Sequence, residues 1–233
     1  MKPPLIIAHR GDSSTVLENS IESIRSALSL SVDMVEIDIR LNRDRELYVM
    51  HDKTTGRTAM KNIDIEESTK EKISRILLKN GEPIPMLAAV LNLLSGTCRL
   101  NLEIKSKGAG VATAEYLLSS HYTGYVLLSS FKEEEVLAAR RVMPTLPTSL
   151  IFDDFITRDI PAYKAKGYDV ISLSKKTVNE KLINTCHEQG IRVYVWTVDN
   201  EEEMRTLMMW GVDGIYSNRP GVLKEIARIA SPP

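Results

Sequence analysis

Two short stretches place acidic residues where the pattern around them demands burial. In Met34-Val35-Glu36-Ile37-Asp38-Ile39-Arg40-Leu41 the apolar and polar residues alternate. Successive strand side chains point to opposite faces, so Val35, Ile37, Ile39 and Leu41 share one face and Glu36 and Asp38 the other. Leu100-Asn101-Leu102-Glu103-Ile104-Lys105 repeats the design, with Asn101, Glu103 and Lys105 opposite the aliphatic residues. An edge strand with a wet face would put these charges in water. A barrel strand instead packs its apolar face on helices and turns its polar face into the barrel mouth. Three carboxylates converging there repel one another and raise their own pKa values. One divalent cation, Mg²⁺ or Ca²⁺, resolves that conflict, because both ions prefer oxygen ligands. Glu36, Asp38 and Glu103 are therefore the expected metal ligands. The competing arrangement is a buried salt-bridge network in which Arg10 and Lys105 neutralise the acids.

The chain has four histidines. His9 and His51 each end a predicted strand, whereas His121 falls in a turn and His187 at a helix end. Imidazole titrates near neutral pH, so two histidines in one mouth make an acid/base pair. Arg10 and Lys105 offer a phosphate a guanidinium fork and a point charge. Trp196 fits either a pocket wall or the packed core.

These residues must be positioned by regular elements, and the chain supplies them in alternation. Leu5-Ile6-Ile7-Ala8 is a buried strand that delivers His9-Arg10-Gly11 at its end. Asn19 with Glu22 reads as an N-cap and capping box for a helix whose stripe is Ile21, Ile24 and Leu28. After the Glu36 strand, residues 46–50 form a second extended piece ending in His51-Asp52. Residues 53–81 read as a loop excursion with one helix over 68–78 and no exposed apolar residues. Pro85 starts a helix bearing Leu87, Val90, Leu91 and Leu94, stopped by Gly96. Strands near residues 5, 35, 100, 126, 149, 171, 194 and 215, each followed by a helix, give eight strand–helix units. That is the pattern of an α/β fold of the (β/α)8 TIM barrel type, with residues 1–233 as one domain. A doubly wound open sheet would want a Gly-rich phosphate loop after the first strand, and none follows it.

Composition narrows the partners. The chain of 233 residues is 43% hydrophobic and 26% charged, an ordinary globular mixture. Thirty basic against 31 acidic residues leave a net charge of −1, which gives no bulk attraction to nucleic acid or an anionic membrane. Cys98 and Cys186 match no metal-ligand spacing and are expected as buried thiols. The stretch from Met1 to Ala8 is too short for a signal-peptide core, and no apolar run reaches membrane-spanning length. A cytoplasmic protein without stable membrane anchoring is the expectation.

His9-Arg10-Gly11, Leu17-Glu18-Asn19-Ser20, Glu36-Ile37-Asp38 and His51-Asp52, taken in order, resemble the signature of the glycerophosphodiester phosphodiesterase family. Ile84-Pro85-Met86-Leu87, Leu102-Glu103-Ile104-Lys105 and Val195-Trp196-Thr197-Val198 resemble its later motifs, so the likeness spans nearly the whole chain. The resemblance implies a metal-dependent barrel that cleaves small-molecule glycerophosphodiesters to sn-glycerol 3-phosphate and an alcohol. It implies a metal on Glu36, Asp38 and Glu103, acid/base roles for His9 and His51, and phosphate contacts from Arg10 and Lys105. It further implies attack by the glycerol 2-hydroxyl through a cyclic phosphate. Leu17 stands where the family usually has proline, the run after His51-Asp52 is short, and Ser217-Asn218-Arg219-Pro220 replaces a pattern with Thr-Asp. The last two departures bear on the specificity for the alcohol. A lysophospholipase D or cyclising phospholipase on the same barrel, and a non-catalytic phosphate-binding barrel, are the rival readings.

Overall fold

The computed structural model describes residues 3–155 and 160–230. Met1 and Lys2, which open the stretch weighed above as a signal peptide, lie outside the described residues. The strands in chain order are β1 (Leu5–His9), β2 (Met34–Leu41), β3 (Leu47–Val49), β4 (Arg99–Ile104), β5 (Val126–Ser130), β6 (Thr148–Phe152), β7 (Val170–Ser174), β8 (Arg192–Trp196) and β9 (Gly214–Ser217). All but β3 run parallel, each hydrogen-bonded to the next around the ring, and β1 closes it by pairing with both β2 and β9. β3 lies outside the ring, antiparallel to β2, with Val49 opposite Ile39. The helices are α1 (Ile21–Ser29), α2 (Lys70–Ile73), α3 (Leu87–Leu94), α4 (Ala109–Ser119), α5 (Glu133–Val142), α6 (Ile160–Ala165), α7 (Glu180–Glu188), α8 (Glu201–Met209) and α9 (Pro220–Ala230). A helix follows every barrel strand, so the protein is the expected eight-stranded (β/α)8 barrel. Among the described residues no helix is long and apolar enough to cross a membrane.

The strand faces sort as their alternation requires. Val35, Ile37 and Ile39 are fully buried in the layer between the ring and the helices, together with Leu87, Val90, Leu91 and Leu94 of α3. Burying an aliphatic side chain of this size stabilises by about 1.5–3 kcal/mol, so this layer holds the helices on the barrel. Inside the ring, Ile7, Met34, Leu127, Val170, Tyr194 and Tyr216 form a second cluster that fills the barrel. Both cysteines are buried thiols.

The excursion over residues 53–81 departs from its expected form. It holds a 3-10 turn at Thr55–Arg57 and one short α-helix, α2, four residues capped by the Thr69 side chain, in place of the helix over 68–78. Order comes from a third apolar cluster, in which Ile65, Ile73, Ile76 and Leu78 pack with Tyr48, Met50, Ala59 and Ile84. Spaced without helical or strand period, these aliphatics build a core that periodicity cannot show. Met60 and Leu77 remain 63% and 45% exposed side by side, since the Met60 N–H donates to the Leu77 carbonyl at 2.9 Å. The expectation that this segment shows no apolar side chain to solvent is thus overturned.

The turn that follows β1 is built around Gly11. Its φ of +82° is a left-handed conformation that a β-carbon disfavours. A β-carbon there would also lie 2.4 Å from Ser23 Oγ and 2.6 Å from the Ser23 carbonyl carbon, at the first turn of α1. Gly11→Ala is expected to cost roughly 2–4 kcal/mol, combining backbone strain with an overpacked contact. Urea unfolding would show this as a lower midpoint at an unchanged slope. A loss below about 0.5 kcal/mol would mean that the turn and α1 relax together.

Candidate active site

Strand register assembles the acids. β1 and β2 place His9 beside Glu36, and β2 and β4 place Glu36 beside Asn101 and Asp38 beside Glu103. Neighbouring strands lie about 4.8 Å apart, so same-face residues in register are near neighbours. Glu36, Asp38 and Glu103 are 1%, 0% and 7% exposed. Each offers an oxygen within 4.8 Å of the oxygens of the other two. Two oxygens on one cation are at most twice the ligand distance apart, about 5 Å for Ca²⁺ and about 4.2 Å for Mg²⁺, so the cluster has the span for Ca²⁺ and would close slightly on Mg²⁺. Glu36 Oε2 accepts from the Arg10 N–H at 2.8 Å, but Glu36 Oε1 is buried with no hydrogen-bond partner. An orphaned buried carboxylate oxygen facing two more acids fits a hard cation.

The neutralising network exists as well, around the same acids. Asp38 Oδ2 lies 3.2 Å from Arg10 Nε and accepts from Asn19 Nδ2 at 2.7 Å, while Asp38 Oδ1 lies 3.1 Å from Lys105 Nζ. Lys105 also pairs with Glu103. Burial opposes ionisation of Asp38, and Lys105 and Arg10 overcome it, so its pKa falls below the usual carboxylate range. Glu36 and Glu103 move the other way. Burial, reinforced by the Asp38 charge, pushes Glu36 up to about 8. Burial outweighs the pull of Lys105 on Glu103 and raises it to about 7.

Asn19 is not the helix cap its position suggests. Ser20 caps α1, its Oγ accepting from the Ser23 N–H in a reciprocal box with Ser23. Asn19 instead adopts a left-handed φ of 55°, donates to Asp38 and accepts from the Asp38 N–H at 3.2 Å. With Asn19 and Ser20 adjacent, either could cap, and the hydroxyl takes that role while the longer amide reaches the acid. Arg10 is left-handed too, at φ 59°, which sends its side chain back over β2.

The histidines flank the cluster from different elements and carry different partners. His9 Nδ1 lies 2.7 Å from Asn218 Oδ1, and its Nε2 is 4.0 Å from Glu36 Oε2. His51 follows β3, and its Nδ1 lies 2.7 Å from Asp52 Oδ1. Desolvation lowers the pKa of both. Asp52 Oδ2 accepts from Arg57 Nε at 2.6 Å, and Arg57 binds both oxygens of Glu18 at 2.7 and 2.8 Å. Glu18 in turn accepts from Arg10 Nη1 at 2.8 Å. Arg57 therefore ties the partner of His51 to the partner of Arg10. Nothing in the pattern around Arg57 announces this, because its partners lie 5 and 39 residues away on separate loops.

A cavity of about 130 Å³ opens over these groups, lined by His9, Arg10, His51, Glu103, Lys105 and Trp196 among others. Glu36 and Asp38 sit behind that wall, so the structure brings together all the residues that the strand ends selected. Trp196 resolves as a wall, since its ring meets Phe131 edge-on at 5.4 Å and its N–H donates to the Ser172 carbonyl at 3.3 Å. Phe131, 45% exposed, completes the apolar side with Ile151. Asn101 and Ser172, both bonded to the Tyr216 hydroxyl, form a polar floor. Asn218, within the departing Ser217-Asn218 stretch, touches His9 directly.

The architecture has close counterparts. A phosphodiesterase of Oleispira antarctica, solved with the product sn-glycerol-3-phosphate, superposes with a TM-score of 0.91 at 22% identity, covering 98% of each chain. A glycerophosphodiester phosphodiesterase of Caldanaerobacter subterraneus subsp. tengcongensis is 30% identical over 96% of this chain and 98% of its own. A lysophospholipase D of Rattus norvegicus is 23% identical over 94% of this chain and 84% of its own. The family model for glycerophosphoryl diester phosphodiesterases matches residues 9–222, from the first of the two site histidines to α9. The chain belongs to the glycerophosphoryl diester phosphodiesterase family.

Proposed function

We propose that this protein hydrolyses glycerophosphodiesters to sn-glycerol 3-phosphate and an alcohol, with one Mg²⁺ or Ca²⁺ held by Glu36, Asp38 and Glu103. The observation that carries this reading is the buried acid cluster, whose Glu36 Oε1 lacks a partner, at a cavity that His9, His51 and Glu103 line. A bound cation would withdraw charge from the phosphoryl group and lower the pKa of a hydroxyl beside it. Arg10 lines the cavity with its Nη1 held by Glu18, so a phosphate oxygen bound there would meet a fixed guanidinium. Lys105 adds a second positive charge at the same rim. One histidine takes the proton of the glycerol 2-hydroxyl as that oxygen attacks phosphorus, and the other protonates the departing alcohol. Water then opens the cyclic phosphate with the two roles exchanged. An attacking group within the substrate has a high effective concentration, so no protein nucleophile is required.

A second reading, cleavage of lysophospholipids, draws support from Met60 and Leu77, whose exposed side chains give the excursion an apolar spot. Assay of purified protein on glycerophosphocholine, glycerophosphoethanolamine, glycerophosphoglycerol and a lysophospholipid separates the two. Release of glycerol 3-phosphate from the water-soluble diesters is expected, abolished by chelator and restored by Mg²⁺ or Ca²⁺ but not by monovalent salt. Glu103→Gln is expected to raise the cation concentration needed without unfolding the protein. Full activity of that variant at trace metal would remove Glu103 from the ligand set.

His9→Ala and His51→Ala are each expected to lower kcat on the order of 10²–10⁴, the usual size of an acid/base contribution. Because both serve one proton-transfer cycle, the double variant is expected to lose far less than the product of the single losses. Multiplicative losses would mean independent roles.

The raised carboxyl pKa values also make stability depend on pH in a defined direction. Cation-free, folded protein holds protons on Glu36 and Glu103 up to about 8 and about 7, whereas an ordinary glutamic acid has lost its proton above 4.5. The folded state thus binds more protons than the unfolded, and stability falls as pH rises toward 8. Asp38, its pKa lowered, is ionised in both states there, and the lowered histidines act in the opposite sense only at and below their ordinary 6.5. Between pH 6.5 and 8 the melting temperature of chelated protein is expected to fall, and Mg²⁺ to raise it most at the upper end. A melt that rises over this window and ignores Mg²⁺ would contradict the cation site.

A further inference from the structure

We infer that Asn218 is a positioning residue that holds neutral His9 in the tautomer with its proton on Nδ1, and that Asp199 sets which end of the Asn218 amide faces the histidine. The inference follows from which atoms can donate. Asp199 Oδ1 accepts from the Asn218 backbone N–H at 2.8 Å and from Ser217 Oγ at 3.0 Å. Asp199 Oδ2 lies 2.7 Å from the Asn218 side-chain nitrogen. A carboxylate can only accept, so the amide must turn its NH₂ group to Asp199 and its oxygen away. That oxygen lies 2.7 Å from His9 Nδ1 and 2.9 Å from the Ser13 hydroxyl. It too can only accept, so the single proton of a neutral imidazole must sit on Nδ1. Nε2 is left as a bare acceptor on the side of the ring nearest Glu36.

His51 is wired differently. Its Nδ1 faces the carboxylate of Asp52, which Arg57 holds from the other side. A carboxylate supports imidazole and imidazolium alike, whereas the neutral amide beside His9 adds no charge to favour the second proton. The geometry therefore leaves the Nε2 lone pair of His9 as the acceptor that a substrate proton would meet. That consequence for turnover rests on the function proposed above, but the tautomer itself does not.

The test is ¹⁵N NMR of the imidazole groups in the full-length protein, with and without Mg²⁺, well above the ordinary imidazole pKa. The His9 signals are assigned by their loss in His9→Gln. The wild type is expected to show His9 protonated at Nδ1 and bare at Nε2. Asn218→Ala is expected to mix the tautomers and lower kcat roughly 10–100-fold with little change in KM, the usual effect of removing a partner that orients a site histidine. Asp199→Asn lets the amide turn and is expected to mix the tautomers as well, which serves if the alanine variant fails to fold. Exchanging the two side chains, Asp199→Asn with Asn218→Asp, keeps an acceptor on Nδ1 and is expected to restore the single tautomer and most of kcat. Wild-type His9 protonated at Nε2 would overturn the inference, as would variants that leave both tautomer and kcat unchanged, or an exchange that fails to restore the tautomer. Protein with the expected tautomer that cleaves no glycerophosphodiester would sink the proposed function and leave this inference standing.

Discussion

A carboxylate without any solvent exposure stays ionised only when cations and donors replace the water it has lost, and Asp38 is held in this way from three directions. Arg10 reaches it from the turn after β1, Lys105 from the residue that follows β4, and Asn19 from the loop before α1. Remove one partner from a buried charge of this kind and the remainder is left uncompensated, which is far costlier than losing a surface pair. The left-handed backbone at Arg10 and at Asn19 is explained by the same demand, since both side chains must turn back over β2 to reach one acid. Geometry that would be strain elsewhere is here held in place by the charge it serves.

Formal charge around the cavity explains how an acid cluster can serve an anionic substrate. Glu36, Asp38 and Glu103 bring −3 when fully ionised, and Arg10 with Lys105 brings +2, leaving −1. One divalent cation would turn that to +1, the complement of a singly charged phosphodiester. Without a cation the same balance is met by protons, which is why burial drives Glu36 and Glu103 upward while Asp38, the best partnered of the three, goes down. On the proposed reading, the salt-bridge network and a cation site would be complementary states of one set of residues.

The barrel was legible because its signals are local. Glu36 and Asp38 alternate with fully buried aliphatics, and such a strand has one place to put its acids once both faces are covered. Residues at strand ends, His9, Arg10, Glu103 and Lys105, converge on one cavity because the fold gathers those ends, so recognising the alternation also pointed to the candidate site. What stayed hidden depends on contacts across loops. Asn218 and Asp199 act on a histidine roughly two hundred residues earlier, Arg57 joins two loops, and Asn19 competes with its neighbour Ser20 for the cap. The excursion was misjudged for a related reason: its aliphatics follow no period, so their shared core exists only in three dimensions.

Arg57 carries one more consequence. It belongs to the excursion, whose order rests on a small apolar cluster of its own and not on the main layer between ring and helices. Segments with few buried apolar contacts open locally at a fraction of the free energy that unfolds a whole protein. An opening of this kind would withdraw Arg57 from Asp52 and Glu18 together, and so loosen His51 and one side of Arg10 while the eight strands stayed intact. Amide exchange over residues 53–81, set against that of the barrel strands, would read how far this appendage opens on its own.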